Sequence, residues 1–231
     1  MSELSGVRVL VLASDGVEES ELTEPVRALK EAGARVDVAA PKPGTIQTFR
    51  HHDKFGVFTA DRAIEGLDPD DYDALLLPGG AFSADTLRAI PKVKDIIRVM
   101  MDAGRPLAMI CHAPWELISA GMARGRTMTG FHTLEDDVRN AGGIWEDEDV
   151  VIDGNLVSSR EPADLPEFIV EMKRVFKEIA APKPVKDIPI ERIEPRLLRK
   201  AGRGGPKRRA KRRGKAPRGR VKGRPRAPDT A

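Results

Sequence analysis

Apolar positions along the chain gather into short runs separated by stretches of helical period. Residues 7–13 form an apolar run with β-branched Val7, Val9 and Val11, and residues 20–33 follow with Leu22, Val26 and Leu29 on one helical face. A strand therefore leads into a helix. Gly33 is placed to end that helix in a left-handed turn, and residues 35–40 start a second strand directly after it. Residues 74–77 read as a third buried strand, residues 91–103 as a helix with Pro91 in its first turn and Gly104 past its end, and residues 106–110 as a fourth strand. Beyond these, residues 133–141 read as a short helix, residues 150–158 as a hairpin around Asp153-Gly154-Asn155, and residues 162–180 as a closing helix. The alternation predicts an α/β fold: a parallel sheet covered by helices on both faces, with functional groups at the carboxyl ends of its strands.

From about Ala181 the chain turns rich in Pro, Lys, Arg and Gly and loses apolar periodicity, so it cannot bury enough surface to offset its chain entropy. The expected organisation is a catalytic domain over residues 1–180 and a disordered basic tail over residues 181–231. Charge sharpens the division. Residues 196–231 hold sixteen Lys and Arg against the single acid Asp229, a net +15, so the remainder carries −12 within the overall +3. An acidic body repels polyanions that such a tail attracts. Lys222-Gly223-Arg224-Pro225-Arg226 resembles the Gly-Arg-Pro core of the AT-hook, an arm that lies in the minor groove of A·T tracts, with Arg218-Gly219-Arg220 as a weaker copy. DNA or another polyanion is the expected partner of the tail.

No run approaches membrane-spanning length, and the first residues lack a basic segment followed by an apolar one, so the expectation is a cytoplasmic protein, with nucleoid association through the tail and no membrane partner. Only one cysteine is present. Without a partner it forms no intramolecular disulfide and is either an inert buried thiol or a reactive one.

That residue, Cys111, stands where the buried strand runs straight into a helix beginning near Pro114. A tight strand-to-helix bend exposes its apex at the sheet's carboxyl edge, and unpaired amides at the helix start favour a thiolate there. The amides of His112 and Ala113, with the Gly79-Gly80 turn after the neighbouring strand, are placed to hold a developing oxyanion. Glu18 follows the first strand by a short loop and should project from the same edge, where it would share one proton with the thiol. Each residue also has a plain reading: Cys111 as a small residue at a buried strand end, His112 as a polar residue opening a helix, and Glu18 as an acid capping the first turn of its helix. His51 and His52 would line the pocket or sit on a surface strand, and no carboxylate or cysteine partner marks them as metal ligands.

Several short motifs in one order go further. Leu75-Leu76-Leu77-Pro78-Gly79-Gly80, Asp85-Thr86-Leu87-Arg88, Ile110-Cys111-His112-Ala113-Pro114, residues 117–121, Gly125-Arg126, Asp136-Asp137, Asn140-Ala141-Gly142 and residues 151–165 resemble the ThiJ/PfpI family, in particular its PfpI-like intracellular peptidase branch. The resemblance spans about residues 7–180. It implies a flavodoxin-like fold of the class I glutamine amidotransferase type, with Cys111 as the nucleophile at the elbow, His112 beside it and Glu18 as the acid after the first strand. It also implies that an acid from a neighbouring subunit, here Asp85, completes a Cys-His-acid triad in a dimer or hexamer. Asp85 otherwise reads as an acid in the first turn of a helix capped by Ser83.

The sequence departs from the family where Ala113 replaces a glycine, which narrows the bend and crowds the pocket, and where Thr129-Gly130-Phe131-His132 displaces a second histidine, so His132 is left out of the catalytic set. The implied function is a cysteine-dependent hydrolase acting on peptides or reactive-carbonyl adducts, as peptidase, glyoxalase or deglycase, with no cofactor and no metal. A stress- or redox-sensing, nucleoid-associated protein with little turnover is the alternative, because an exposed low-pKa cysteine is also what peroxide oxidises.

Overall fold

A computed structural model of the protein describes residues 2–180; the basic tail and its AT-hook-like segment, Lys222 to Arg226, lie outside the described residues. The chain opens with β1 (Arg8–Leu12), the two-residue β2 (Val17–Glu18), α1 (Glu19–Glu31) and β3 (Arg35–Ala40). A hairpin of β4 (Gly44–Arg50) and β5 (Asp53–Ala60) follows, then β6 (Arg62–Ala63), β7 (Ala74–Leu77), α2 (Ala81–Ala89), α3 (Pro91–Asp102), β8 (Leu107–Ile110) and α4 (Pro114–Ser119). The last third holds β9 (Thr127–Met128), α5 (Glu135–Asn140), β10 (Ile144–Trp145), β11 (Val150–Asp153), β12 (Leu156–Ser159) and α6 (Leu165–Ala180).

Seven strands form one sheet in the order β11-β12-β8-β7-β1-β3-β6, parallel throughout except where β11 turns back along β12. Central strands of such a sheet are covered on both faces and so must be apolar at every position. Alternate residues accordingly serve different layers. Val9, Val11, Leu76, Ala108 and Ile110 face Leu22, Val26, Phe168 and Met172 of α1 and α6. Leu10, Leu12, Leu75, Leu77 and Met109 face Leu87 of α2, Ile96 and Met100 of α3, Leu117 of α4 and Val138 of α5.

Gly33 and Gly104 take the positive φ expected after α1 and α3, and Gly154 does so in the β11–β12 turn. The β4–β5 hairpin has no counterpart among the predicted elements; with β2 it forms a separate three-stranded sheet, order β2-β4-β5, that stands over the entrance to the site. Ser83 does not cap α2. It lies buried inside that helix, where its Oγ accepts the Ser14 amide at 3.0 Å and ties the helix to the end of β1.

One buried acid works against the fold. Glu116 on α4 is fully buried and neither carboxyl oxygen has a hydrogen-bond partner among the described residues, so burial raises its pKa well above the carboxylate range. Because the folded state keeps a proton that the unfolded chain loses, stability falls as pH rises through and above the ordinary carboxylate range. Glu116→Met, of similar shape, should stabilise the protein by about 1–3 kcal/mol at neutral pH. The gain in melting temperature over wild type should widen between about pH 5 and pH 9 by differential scanning fluorimetry. An equal melting temperature at every pH would show that the carboxyl has found a partner.

Candidate active site

The carboxyl ends of β1, β7 and β8 meet along one edge of the sheet, and each delivers part of the site. At the end of β8 the backbone bends so sharply that Cys111 adopts φ of 61°, a left-handed conformation costly for any residue with a Cβ. Main-chain bonds hold it there: the Cys111 amide donates to Ser159 O at 3.0 Å, and Cys111 O accepts from Phe131 N at 2.8 Å. Strain at the apex turns the sulfur into a pocket of about 290 Å³ between the main sheet and the β4–β5 hairpin. Cys111 itself is 7% exposed.

The Gly79-Gly80 turn after β7 forms the opposite wall, and both glycines are required. A Cβ added to Gly79 would lie 2.5 Å from both Cys111 Cβ and Glu21 Oε2. Gly80, at φ of 89°, packs on the backbone of Gly16, Val17 and Glu18, leaving no room for a side chain.

The acid beside the sulfur is Glu21. It is fully buried, its Oε2 accepts the Gly79 amide at 3.0 Å, and its Oε1 has no hydrogen-bond partner among the described residues. The proton-sharing position read onto Glu18 falls three residues later, one turn into α1. Glu18 ends β2, and its carboxylate instead accepts the His51 amide at 2.8 Å, pinning the hairpin turn over the pocket. The signal for Glu21 is present in the sequence as an acid on the apolar stripe of α1, with Leu22, Pro25, Val26 and Leu29.

Burial, and then the negative charge of Glu18, pushes Glu21 up to about 8. Burial also pushes the Cys111 thiol up, the charge of an ionised Glu21 pushes it further, and the amides of Gly80 and His112 pull it back. Both groups cannot carry charge at once in this space. At neutral pH Glu21 keeps its proton, its charge is absent, and its O–H is free to donate to a thiolate.

His112 Nδ1 lies 3.1 Å from Cys111 Sγ, so these consecutive side chains do meet. The ring is fixed by stacking on Phe131, with centroids 4.8 Å apart, and by an edge contact with Trp115 at 5.2 Å. Burial and nearby His132 lower its pKa, so it is neutral near pH 7 and able to accept the thiol proton. His132 packs against Phe131, with ring centroids 4.5 Å apart, and is not among the residues lining the Cys111 pocket.

The expected oxyanion donors resolve differently. Gly80 and His112 amides face the sulfur, whereas the Gly79 amide is taken by Glu21 and the Ala113 amide donates to Ile110 O at 3.1 Å. Nor does Ala113 crowd the pocket: its φ of −59° needs no glycine, and its methyl is buried in the core behind the sheet. His51 and His52 both line the pocket mouth. Asp85 is exposed on α2 and does not line this pocket within its own chain. Among the described residues no three His, Cys, Asp or Glu side chains group as a metal site, and no helix is long and apolar enough to cross a membrane.

Residues 7–174 match the DJ-1/PfpI family. The chain belongs to that family. A deglycase of Thermococcus kodakarensis, TK1284, is 43% identical over 171 residues, which cover 74% of this chain and 100% of that protein. Protein/nucleic acid deglycase 2 of Escherichia coli is 38% identical over 170 residues, covering 73% of this chain and 97% of the relative. Among solved structures, Drosophila melanogaster DJ-1beta superposes with a TM-score of 0.68 at 28% identity, covering 79% of this chain and 92% of that one. As a DJ-1/PfpI protein the chain has relatives named deglycases, and the Cys111 elbow lies inside the matched span.

Coupling between Glu21 and Cys111 has a measurable signature. At pH 7 Glu21→Ala should slow Cys111 alkylation by iodoacetamide about tenfold, because the thiolate loses a donor. Glu21→Gln keeps a donor and loses the ionisation, so it should hold the wild-type rate at pH 7 and overtake wild type once pH passes the Glu21 value of about 8. Parallel rate–pH curves for all three proteins would show that Glu21 does not sense the sulfur.

Proposed function

We propose that the protein is a cysteine-dependent deglycase, a hydrolase that removes reactive-carbonyl adducts from amines through a covalent Cys111 intermediate. The observation that carries this reading is the constellation of strained Cys111, His112 Nδ1 at 3.1 Å and the buried Glu21 carboxyl. Relatives named as deglycases, matched over 97% and 100% of their own lengths, support it.

Thiol deprotonation comes first, with His112 taking the proton. For an aminocarbinol adduct of a 2-oxoaldehyde, the sulfur bonds to the carbinol carbon as the C–N bond breaks, and His112 returns its proton to the departing amine. The resulting hemithioacetal becomes a thioester through an enediol. Neutral His112 takes the proton of the sulfur-bearing carbon while Glu21 gives its own to the neighbouring carbonyl oxygen. His112 then returns its proton to the neighbouring carbon, and Glu21 takes the proton of the hydroxyl on the sulfur-bearing carbon. Negative charge on oxygen in this step falls near the Gly80 and His112 amides. Water then hydrolyses the thioester, releasing a 2-hydroxy acid and regenerating the thiol. The same elbow would cleave a peptide carbonyl, with the amine as leaving group.

Two parts of the proposal lie beyond the single described domain. Asp85 of a second copy would reach His112 only in an oligomer, completing a Cys-His-acid triad. The tail would add polyanion binding, since the sixteen basic side chains of residues 196–231 release many counterions from a nucleic acid.

On a methylglyoxal-treated peptide, wild type should release free amine and lactate. Cys111→Ser should lower that release about a thousandfold or more, and His112→Ala about a hundredfold. Turnover that survives Cys111→Ser would overturn the covalent route. Deleting residues 181–231 should abolish retention on a DNA column at moderate salt with kcat/KM unchanged; a truncated protein that still binds DNA would end the division of labour.

A further inference from the structure

We propose that Glu161 is a specificity-determining residue of the Cys111 pocket. With Glu18 it selects adducts whose amine carries a positive charge, such as the guanidinium of an arginine side chain, over adducts on a phosphate-bearing amine. The inference rests on the reading of Cys111 as the reactive group and names what its substrate must carry.

Topology brings Glu161 to the sulfur. β12 lies beside β8 with Ser159 in register with Ile110, and Ser159 O accepts the Cys111 amide at 3.0 Å. Glu161 follows two residues later and lines the same pocket of about 290 Å³ as Cys111, His112 and Glu18. Its charge reaches the interior, since it helps to push the buried Glu21 up. β12 and β7 flank β8 on opposite sides, so Glu161 stands across the pocket from α2, the helix that follows β7. An Asp85 that a second copy brought to His112 would add a further acid and no countercharge.

The Glu161 side chain has no structural duty. It stands at the N-cap of the short helical turn Pro162–Asp164 without making a capping bond, and its carboxylate enters no hydrogen bond or ion pair among the described residues. Its backbone, at φ of −159°, is extended and suits any residue. The neighbouring guanidinium does not neutralise it, because Arg160 is held by Asp147 at 3.1 Å, by Asp164 at 3.0 Å and by Asp149. Among the described residues no lysine or arginine lines the pocket. Glu21 keeps its proton at neutral pH, so the negative charge at the pocket comes from Glu161 and from Glu18, one oxygen of which accepts the His51 amide. Carboxylates without a countercharge draw cations toward the sulfur and keep phosphates away. A planar guanidinium, with several donors, suits them best.

Cys111 is the only cysteine, so a thiol reagent reads this pocket alone and needs no turnover. Mixed-disulfide formation is timed with the cation 2-aminoethyl methanethiosulfonate and the anion 2-sulfonatoethyl methanethiosulfonate, each rate divided by that with 2-mercaptoethanol. The full-length protein is used at about pH 7.5, where an ordinary histidine, near 6.5, is mostly neutral. Wild type should favour the cation. Glu161→Gln should lower the cation-to-anion ratio about fivefold and Glu161→Lys should lower it further, both effects shrinking as salt rises. Glu65→Gln, the same charge change at an exposed residue outside the pocket, should leave the ratio unchanged. In parallel, kcat and KM are measured on methylglyoxal adducts of acetylarginine amide and of guanosine monophosphate. Wild type should prefer the arginine adduct, and Glu161→Gln should raise its KM about fivefold at nearly constant kcat. A reagent ratio indifferent to Glu161→Gln would overturn the proposal, and so would a wild type that prefers the nucleotide adduct. A ratio that responds, in a protein that turns over neither adduct, would instead sink the deglycase reading and leave the cation-selective pocket standing.

Discussion

Two groups that cannot both be charged share one buried space, and the arrangement of the site follows from that constraint. Glu21 and Cys111 are both withdrawn from water, so an isolated charge on either is costly. One proton between them relieves the conflict. The backbone supplies the rest: the Gly79 amide holds one carboxyl oxygen, and the Gly80 and His112 amides face the sulfur. Neither glycine tolerates a side chain, because the thiol, the carboxyl and the neighbouring strand ends have already taken the space. Positive φ at Cys111 is the cost of bringing a β-strand and a helix to that point.

The parallel sheet explains why these groups meet at all. Successive strands end on the same edge, so a loop after β1, a turn after β7 and a bend after β8 converge although they lie far apart in the chain. Helices on both faces fix the strands, and the β2-β4-β5 sheet closes the mouth through the Glu18–His51 contact. His112 gains its orientation from aromatic packing on Phe131 and Trp115.

The layers and the elbow were legible in the sequence because central strands of a parallel sheet are apolar at every position and glycines mark the ends of α1 and α3. The β4–β5 hairpin was not. Ile46 and Thr48 of β4 are buried between less buried neighbours, β5 is mostly exposed, neither strand holds an apolar run, and the turn is made by His51 at φ of 55° where a glycine or asparagine would have announced it. Glu18 and Glu21 illustrate a finer limit. Both belong to one acidic stretch, and which of them points inward depends on where the helix begins; the start of α1 at Glu19 turns Glu21 toward Cys111 and Glu18 toward the hairpin. Amide directions at the elbow were equally hidden, since they depend on a turn in which Ala113 bonds back to Ile110.

Infrared difference spectroscopy between wild type and Glu21→Gln, followed through pH alongside the ultraviolet absorbance of the thiolate, tests the shared proton most directly. The account predicts a protonated-carboxyl band from Glu21 at neutral pH that disappears near the value of about 8, with the thiolate signal changing in the same interval. A Glu21 already ionised in mildly acidic solution, beside a cysteine that titrates independently of it, would contradict the account.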